Sequence, residues 1–306
     1  ARDWNVVGFG DGFRVLRHPT KKILYSEMQG AENVWRFNME TQSTKTVQPL
    51  QTKGVDKLRF NWNAPMATSE NQPDRFYMGS QYLHISEDMG STWRVISPDL
   101  TTNNPAKLNQ ENSGGISKDN SGAENHCTIF TIAESPLSEQ VIWVGTDDGN
   151  IQVTKDGGKT WTNTTPNLPG NVPANLWVYH IEASVHGEGT AYAVLEGHTM
   201  GNMDPYVFKT TDYGKTWSSI VTNEIYGFAR NIQEDYVNED LLFLGTEFGL
   251  YVTVNGGKNW NQFTNNMPPV AVHFVDLQKK TNDIVMGTHG RGATTTPAFS
   301  PLRGIT

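Results

Sequence analysis

The feature that most restricts this chain is an eight-residue pattern that occurs four times, Ser/Thr-x-Asp/Asn-x-Gly-x-Thr/Asn-Trp. It runs from Ser86 to Trp93, Thr154 to Trp161, Thr210 to Trp217 and Thr253 to Trp260. The last copy carries Asn255 for the acid and Asn259 for the threonine. Each position has a physical task. A carboxylate or amide oxygen at Asp88, Asp156, Asp212 or Asn255 can accept N–H groups of its own turn. Gly90, Gly158, Gly214 and Gly257 supply positive φ, and Trp93, Trp161, Trp217 and Trp260 offer large apolar plates to a neighbouring sheet. Repetition at this period marks a stacked architecture, in which a unit buries its apolar face only against the next. These regular aspartates are therefore expected to brace turns and not to act as catalytic acids.

Strands can be read around each octet from alternation and from β-branched and aromatic content. The clearest unit is Thr128–Ala133, Val141–Gly145, Ile151–Thr154, the octet turn, then Thr160–Asn163. Four short antiparallel strands in succession make one propeller blade. Inner strands are expected near Phe13–Leu16, Arg59–Met66, Val178–Ala183, Phe228–Gln233 and Val270–Asp276, and second strands near Ile23–Ser26, Arg75–Gly79, Thr190–Leu195, Leu241–Gly245 and Asp283–Gly287. The expected fold is thus all-β: a propeller of four-stranded antiparallel blades, about six blades' worth, over residues 1–300. Its blades lie near 8–50, 58–100, 125–168, 176–223, 226–266 and 270–298, with a polar insertion over 99–124 above the channel mouth and a tail over 301–306. The last unit lacks an outer strand, whereas Arg2–Val7 resembles the end of an octet and the strand after it. Two readings stay open: those residues close a ring of six, or the chain belongs to a longer propeller.

A net charge of −8 with no basic stripe excludes a nucleic-acid backbone as the main partner. The single cysteine, Cys127, excludes an internal disulfide. No run approaches the ~20 apolar residues of a membrane span, and His126 beside Cys127 lacks metal-ligand spacing. No cofactor or metal is implied.

The octets lie between third and fourth strands, so the opposite end of each blade carries the second-to-third turns and the links into each inner strand. Those turns differ in content: Gly79–Tyr82, Gly145–Gly149, Leu195–His198, Gly245–Gly249 and Gly287–Gly292. They present Tyr82, Asp147, Asp148, His198, Glu247, Phe248, His289 and Arg291. The incoming links add Arg59, Asn61, Trp62, Glu124, His126, Trp177, His180 and Arg230. A repeat fold needs only turn formers here, so this convergence of polar and aromatic groups is the expected site. Trp62, Tyr82, His126, Asp147, Trp177, His198, Phe248, His289 and Arg291 are the candidate ligand contacts, and Glu247, Asp148 and Glu124 the candidate catalytic carboxyls. Asp147-Asp148-Gly149-Asn150 is equally a good hairpin turn on composition alone.

The octets, the run Trp143–Trp161, and the segments Arg59–Trp62, Gly122–Asn125, Gly245–Leu250 and Gly287–Gly292 resemble the BNR/Asp-box repeat superfamily. Within it they look most like the large bacterial sortilin-like propeller proteins often labelled glycosyl hydrolases. The resemblance covers nearly the whole chain and implies a secreted or periplasmic protein, with further domains in a longer parent chain as possible partners. It departs at Ala293–Pro297, polar where that group has an apolar strand.

Three functions follow as expectations. The first is an extracytoplasmic module binding a glycan or a protein or peptide ligand, with aromatics for stacking and His198, Glu247 and Arg291 for direction. The second is a glycoside hydrolase, which needs two carboxyls about 5–5.5 Å apart for retention or about 6.5–9.5 Å for inversion. The third is a structural half of a multi-propeller protein. A sialidase fits less well: only Arg59, Arg230 and Arg291 are placed for its three-arginine carboxylate clamp, and no Tyr–Glu nucleophile pair stands out.

Overall fold

The computed structural model describes residues 6–109, 125–264 and 267–305. The chain is all-β, six propeller blades in chain order, with no α-helix among the described residues. It divides into two compact units, Ala1–Asn163 and Thr164–Thr306.

The first unit holds three four-stranded sheets. They are β1 to β4 (Val15–Arg17, Ile23–Glu27, Val34–Asn38, Ser43–Thr46), β5 to β8 (Met66–Thr68, Phe76–Gly79, Leu83–Ser86, Arg94–Val95) and β9 to β12 (Ile129–Ser135, Ser138–Thr146, Ile151–Thr154, Thr162–Asn163). The second holds β13 to β16 (Trp177–Ala183, Ala191–Gly197, Asn202–Thr210, Ser218–Ser219) and β17 to β20 (Ala229–Glu234, Leu242–Thr246, Gly249–Thr253, Asn261–Gln262). Its last sheet has three strands, β21 to β23 (Val272–Gln278, Asp283–Thr288, Gly292–Thr296). All pairings are antiparallel between sequence neighbours, the pattern of a blade meander.

Within each unit, the second strand of the middle blade is buried on both faces because that blade packs between two others. In β6, Phe76 and Met78 join the core shared with β2 and β3, while Tyr77 joins the core shared with β9 and β10. In β18, Leu242 and Leu244 pack toward Tyr192 and Val194, and Phe243 packs toward Val272 and Met286. Burying each such side chain contributes roughly 1.5–3 kcal/mol. Several inner strands begin later than expected, and two show why. β5 starts at Met66, since Pro65 has no N–H and Asn63 N–H turns onto Asn61 Oδ1 (3.0 Å). β1 starts at Val15 because Phe13 and Arg14 N–H donate to Glu27 Oε1 (3.1 and 3.2 Å).

The octets form one repeated device. Ser86 Oγ accepts Gly90 N–H (2.7 Å) and donates to Asp88 Oδ1 (2.8 Å), which also accepts Thr92 N–H (2.7 Å). Asp88 Oδ2 takes the Thr92 hydroxyl (2.8 Å). The Asp156 and Asp212 octets repeat these bonds, and the Asn255 octet repeats all but the last. The Thr160 hydroxyl and N–H hold the Asp156 carboxyl down at about 2. Trp93, Trp161 and Trp260 each donate Nε1–H to a carbonyl just past a preceding outer strand, Val47, Ile96 and Ile220 (2.7, 3.1 and 2.8 Å). Gly90, Gly158 and Gly257 press on the same residues, and Gly214 on Thr164. A Cβ on Gly158 would lie 2.5 Å from Ile96 O, and φ there is +95°. The octet is therefore a turn and an inter-blade clip at once.

Past Pro297 the chain is tied down. Phe299 is buried, and Arg303 forms a two-pronged ion pair with Asp235 (2.8 Å on each arm).

Candidate ligand-binding site

The inner strands share a defect that shapes what the loops can present. Pairing shifts by one residue at Ile129/Thr131, Val178/His180, Ala229/Asn231 and Val272/Phe274, which makes Phe130, Tyr179, Arg230 and His273 the extra residues of four bulges. Such a bulge bends the strand and re-aims the extra side chain. Three of the four lie in the second unit, and they meet. Arg230 Nη1 donates to Tyr179 Oη and to His273 Nδ1 (both 3.2 Å), and Nη2 lies 3.5 Å from His198 Nε2. The guanidinium carbon stands 4.8 Å from the Tyr179 ring centre and 5.0 Å from that of Phe228. The His198 ring stacks on Phe228 (4.9 Å, 23°), and its Nδ1 bonds the buried carboxylate of Glu196. His273 meets the exposed His289 ring at 5.3 Å. Burial, with the Arg230 charge and the other two histidines, pushes His273 down to about 4, so its Nδ1 is a neutral acceptor for Arg230.

Beside this cluster, Glu247 and Phe248 form the two-residue turn between β18 and β19. Glu247 N–H donates to Phe228 O (3.0 Å) and Phe248 N–H to Thr246 Oγ1 (3.2 Å). Both side chains close over Gly227, where a Cβ would sit 2.9 Å from the Phe248 ring and 3.1 Å from Glu247 Oε2. Phe248 is 51% exposed, whereas Glu247 Oε2 is buried and has no hydrogen-bond partner among the described residues. Arg291 is exposed, and Trp177 is half-buried opposite Glu196.

In the first unit the expected residues are tightly engaged. Asp147 is fully buried and accepts Asn61 Nδ2 (2.9 Å), Thr128 N–H (2.9 Å) and the Thr128 hydroxyl (2.6 Å), with His126 Nδ1 at 3.6 Å. Burial raises its carboxyl above the ordinary range, against the pull of His126. Asp148, also buried, takes Thr102 N–H and hydroxyl on Oδ2 (2.8 and 2.6 Å) and the Thr146 hydroxyl on Oδ1 (2.5 Å). These bonds, with Asn150 Nδ2 to Leu100 O (3.0 Å), pin residues 100–102 along the third blade. Cys127, at φ 56°, is buried, and its thiol is pushed up to about 11 by burial and by Asp148. Trp62 and Tyr82 are half-buried, their carbonyls taking Gly30 and Ser80 N–H. Arg59 pairs with Asp99 (2.9 Å). Glu124 lies outside the described residues.

The expected contacts thus separate by unit: Trp62, Tyr82, His126, Asp147 and Asp148 in the first, and Trp177, His198, Glu247, Phe248, His289 and Arg291 in the second. Within the second, His198 and His289 are joined through Arg230 and His273. Sequence reasoning passed over Tyr179, Phe228 and His273. For Tyr179 and His273 the signal was present as a break in alternation: Val178-Tyr-His-Ile181, Ala229-Arg-Asn-Ile232 and Val272-His-Phe-Val275 space buried apolar residues three apart where a regular strand spaces them two apart. Among the described residues, no group of three or more His, Cys, Asp or Glu side chains is placed to hold a metal, and no helix is long and apolar enough to cross a membrane.

The architecture defines a β-propeller protein, and solved structures share that fold. The chain superposes on a GH74 xyloglucanase from Xanthomonas campestris with a TM-score of 0.62 and 18% identity, covering 96% of this chain and 45% of that one. It superposes on the extracellular domain of a two-component system of B. thetaiotaomicron with a TM-score of 0.59 and 12% identity, covering 97% and 35%. No family model matches the chain. In sequence it is 24% identical over 225 residues to the oligoxyloglucan-reducing end-specific xyloglucanase of Emericella nidulans, covering 70% of this chain and 25% of the enzyme. The chain spans about a quarter of the length of the curated relatives it matches.

Proposed function

We propose that this chain is a glycan-binding propeller module of an extracytoplasmic protein, with its ligand contacts on the second-to-third loops of the second unit. The observation that carries the reading is the Glu247–Phe248 turn. It sets a half-exposed aromatic ring beside a carboxylate oxygen without a partner among the described residues. Sugar rings stack on such aromatic faces while a nearby carboxylate accepts their hydroxyls, and an unpaired buried oxygen gains most from a donor. Likeness in sequence to a xyloglucanase supports a glycan over a peptide. Likeness to an extracellular domain supports the location. His198, His289 and Arg291 stand as further contacts on the same loops.

A glycan array followed by calorimetry tests this. Xyloglucan oligosaccharides or another plant or bacterial glycan should bind, and Phe248→Ala should weaken binding at least tenfold. Absence of binding to every glycan would end the proposal.

The hydrolase reading keeps one specific support, the same Glu247 oxygen. Its intended companion, Asp148, is buried with donors on both carboxylate oxygens, which spends it on bracing Thr102 and Thr146. Turnover of any bound glycan that is lost in Glu247→Gln would favour hydrolysis over binding alone.

A further inference from the structure

In the second unit, Arg230 is a cation without an anion among the described residues. Arg59, Arg75 and Arg303 each grip a carboxylate at 2.8–2.9 Å, namely Asp99, Glu87 and Asp235. Arg230 grips none among the described residues. One arm, Nη1, is spent on Tyr179 and His273. The other edge, Nε with Nη2, is nearly unfilled: Nε is buried with no partner among the described residues, and Nη2 has only the long contact to His198. That edge is the planar fork which binds a carboxylate side-on. Nearest in the network is the Glu196 carboxylate, but it acts on Arg230 only through the intervening His198 ring.

An arginine serving only to staple three inner strands would not need this edge bare, since a carbonyl or carboxylate could fill it. The bulge at Arg230 also costs ladder pairing to place the side chain here. Flanking rings of Tyr179 and Phe228 hold the guanidinium plane, so it is preorganised for a flat partner.

We infer that Arg230 is the anchor for a carboxylate carried by the bound sugar, so that the ligand is an acidic, uronic-acid-containing oligosaccharide. The inference rests on the glycan reading above and narrows it to one chemical class. His198 is the group that yields as the carboxylate takes Nη2, because its contact there is the longest in the cluster.

The test is calorimetric titration of the 306-residue chain with an oligogalacturonate and with the same oligosaccharide after reduction of its carboxyl groups. The wild type should bind the acidic form at least tenfold more tightly, and added salt should erode that preference. Arg230→Gln should abolish the preference, so that the acidic and reduced forms bind alike. Should Arg230→Gln fail to fold by circular dichroism, Arg230→Met, which refills the space beside the two rings, takes its place. Equal binding of both forms by the wild type, or a preference that survives loss of the guanidinium, overturns the inference and leaves the glycan reading standing. If neither form nor any neutral glycan binds, the glycan reading itself has failed.

Discussion

Glu27 ends β2 with its carboxyl sealed from solvent, at 1% exposure. Oε1 accepts the N–H groups of Phe13 and Arg14, while Oε2 is buried without a partner among the described residues. It borders a cavity of about 220 Å³ walled by Gly8, Gly10, Gly12 and Phe13. Burial is the dominant influence and raises the carboxyl from its ordinary 4.5 to about 8, against the downward pull of the two N–H groups and the Arg14 guanidinium. The folded state therefore keeps a proton that the unfolded chain releases. Stability from this group is complete below pH 4.5 and is lost as pH rises toward 8. At about 1.36 kcal/mol per pKa unit the loss is at most about 5 kcal/mol. Glu27→Gln keeps an acceptor for both N–H groups and cannot ionise, so it removes this dependence. Urea unfolding of both proteins at pH 5, 6.5 and 8 measures it. Histidines such as His84, pushed by burial to about 4, act in the opposite direction, losing stability as pH falls, and cancel in the difference between the proteins. The wild type should lose stability between pH 5 and 8 that the variant keeps. Parallel curves would refute the assignment of a buried, protonated carboxyl.

Two other substitutions separate structure from function. Gly158→Ala combines positive φ with a Cβ 2.5 Å from Ile96 O, whereas Gly54→Ala, at φ +84°, meets nothing within 4 Å. Both pay about 1–2 kcal/mol for the left-handed backbone, and Gly158→Ala should unfold at a clearly lower temperature; equal melting midpoints would remove the clip. Asp148→Asn turns an acceptor into a donor facing Thr102 or Thr146 and should cost about 1–3 kcal/mol in chemical unfolding. Its glycan affinity should be unchanged, and a lost affinity at full stability would make Asp148 a ligand contact instead of a brace.

Much of the architecture was legible because it is written in local chemistry. The octets carry their own hydrogen-bond partners within eight residues, so their role as turn braces could be read directly and is what the bonds of Asp88, Asp156 and Asp212 perform. The six blades and the three-stranded last sheet follow from strand counting around them. Strand edges were less legible. The start of β1 is set by Glu27, which takes the N–H groups of Phe13 and Arg14 from fourteen and thirteen residues away.

By itself, then, the sequence determined the repeat, its turns and the end of each blade where variable side chains collect. These depend on contacts between near neighbours, which composition and spacing encode. Only the tertiary structure decided which of those side chains are spent and which are spare. Asp148 is consumed by Thr102, a residue 46 positions away, and Arg230 is drawn between Tyr179 and His273, 51 and 43 positions away. A bulge of one residue exchanges the side chains that face inward, and whether a carboxylate or guanidinium has a partner depends on strands that meet only after the blades pack.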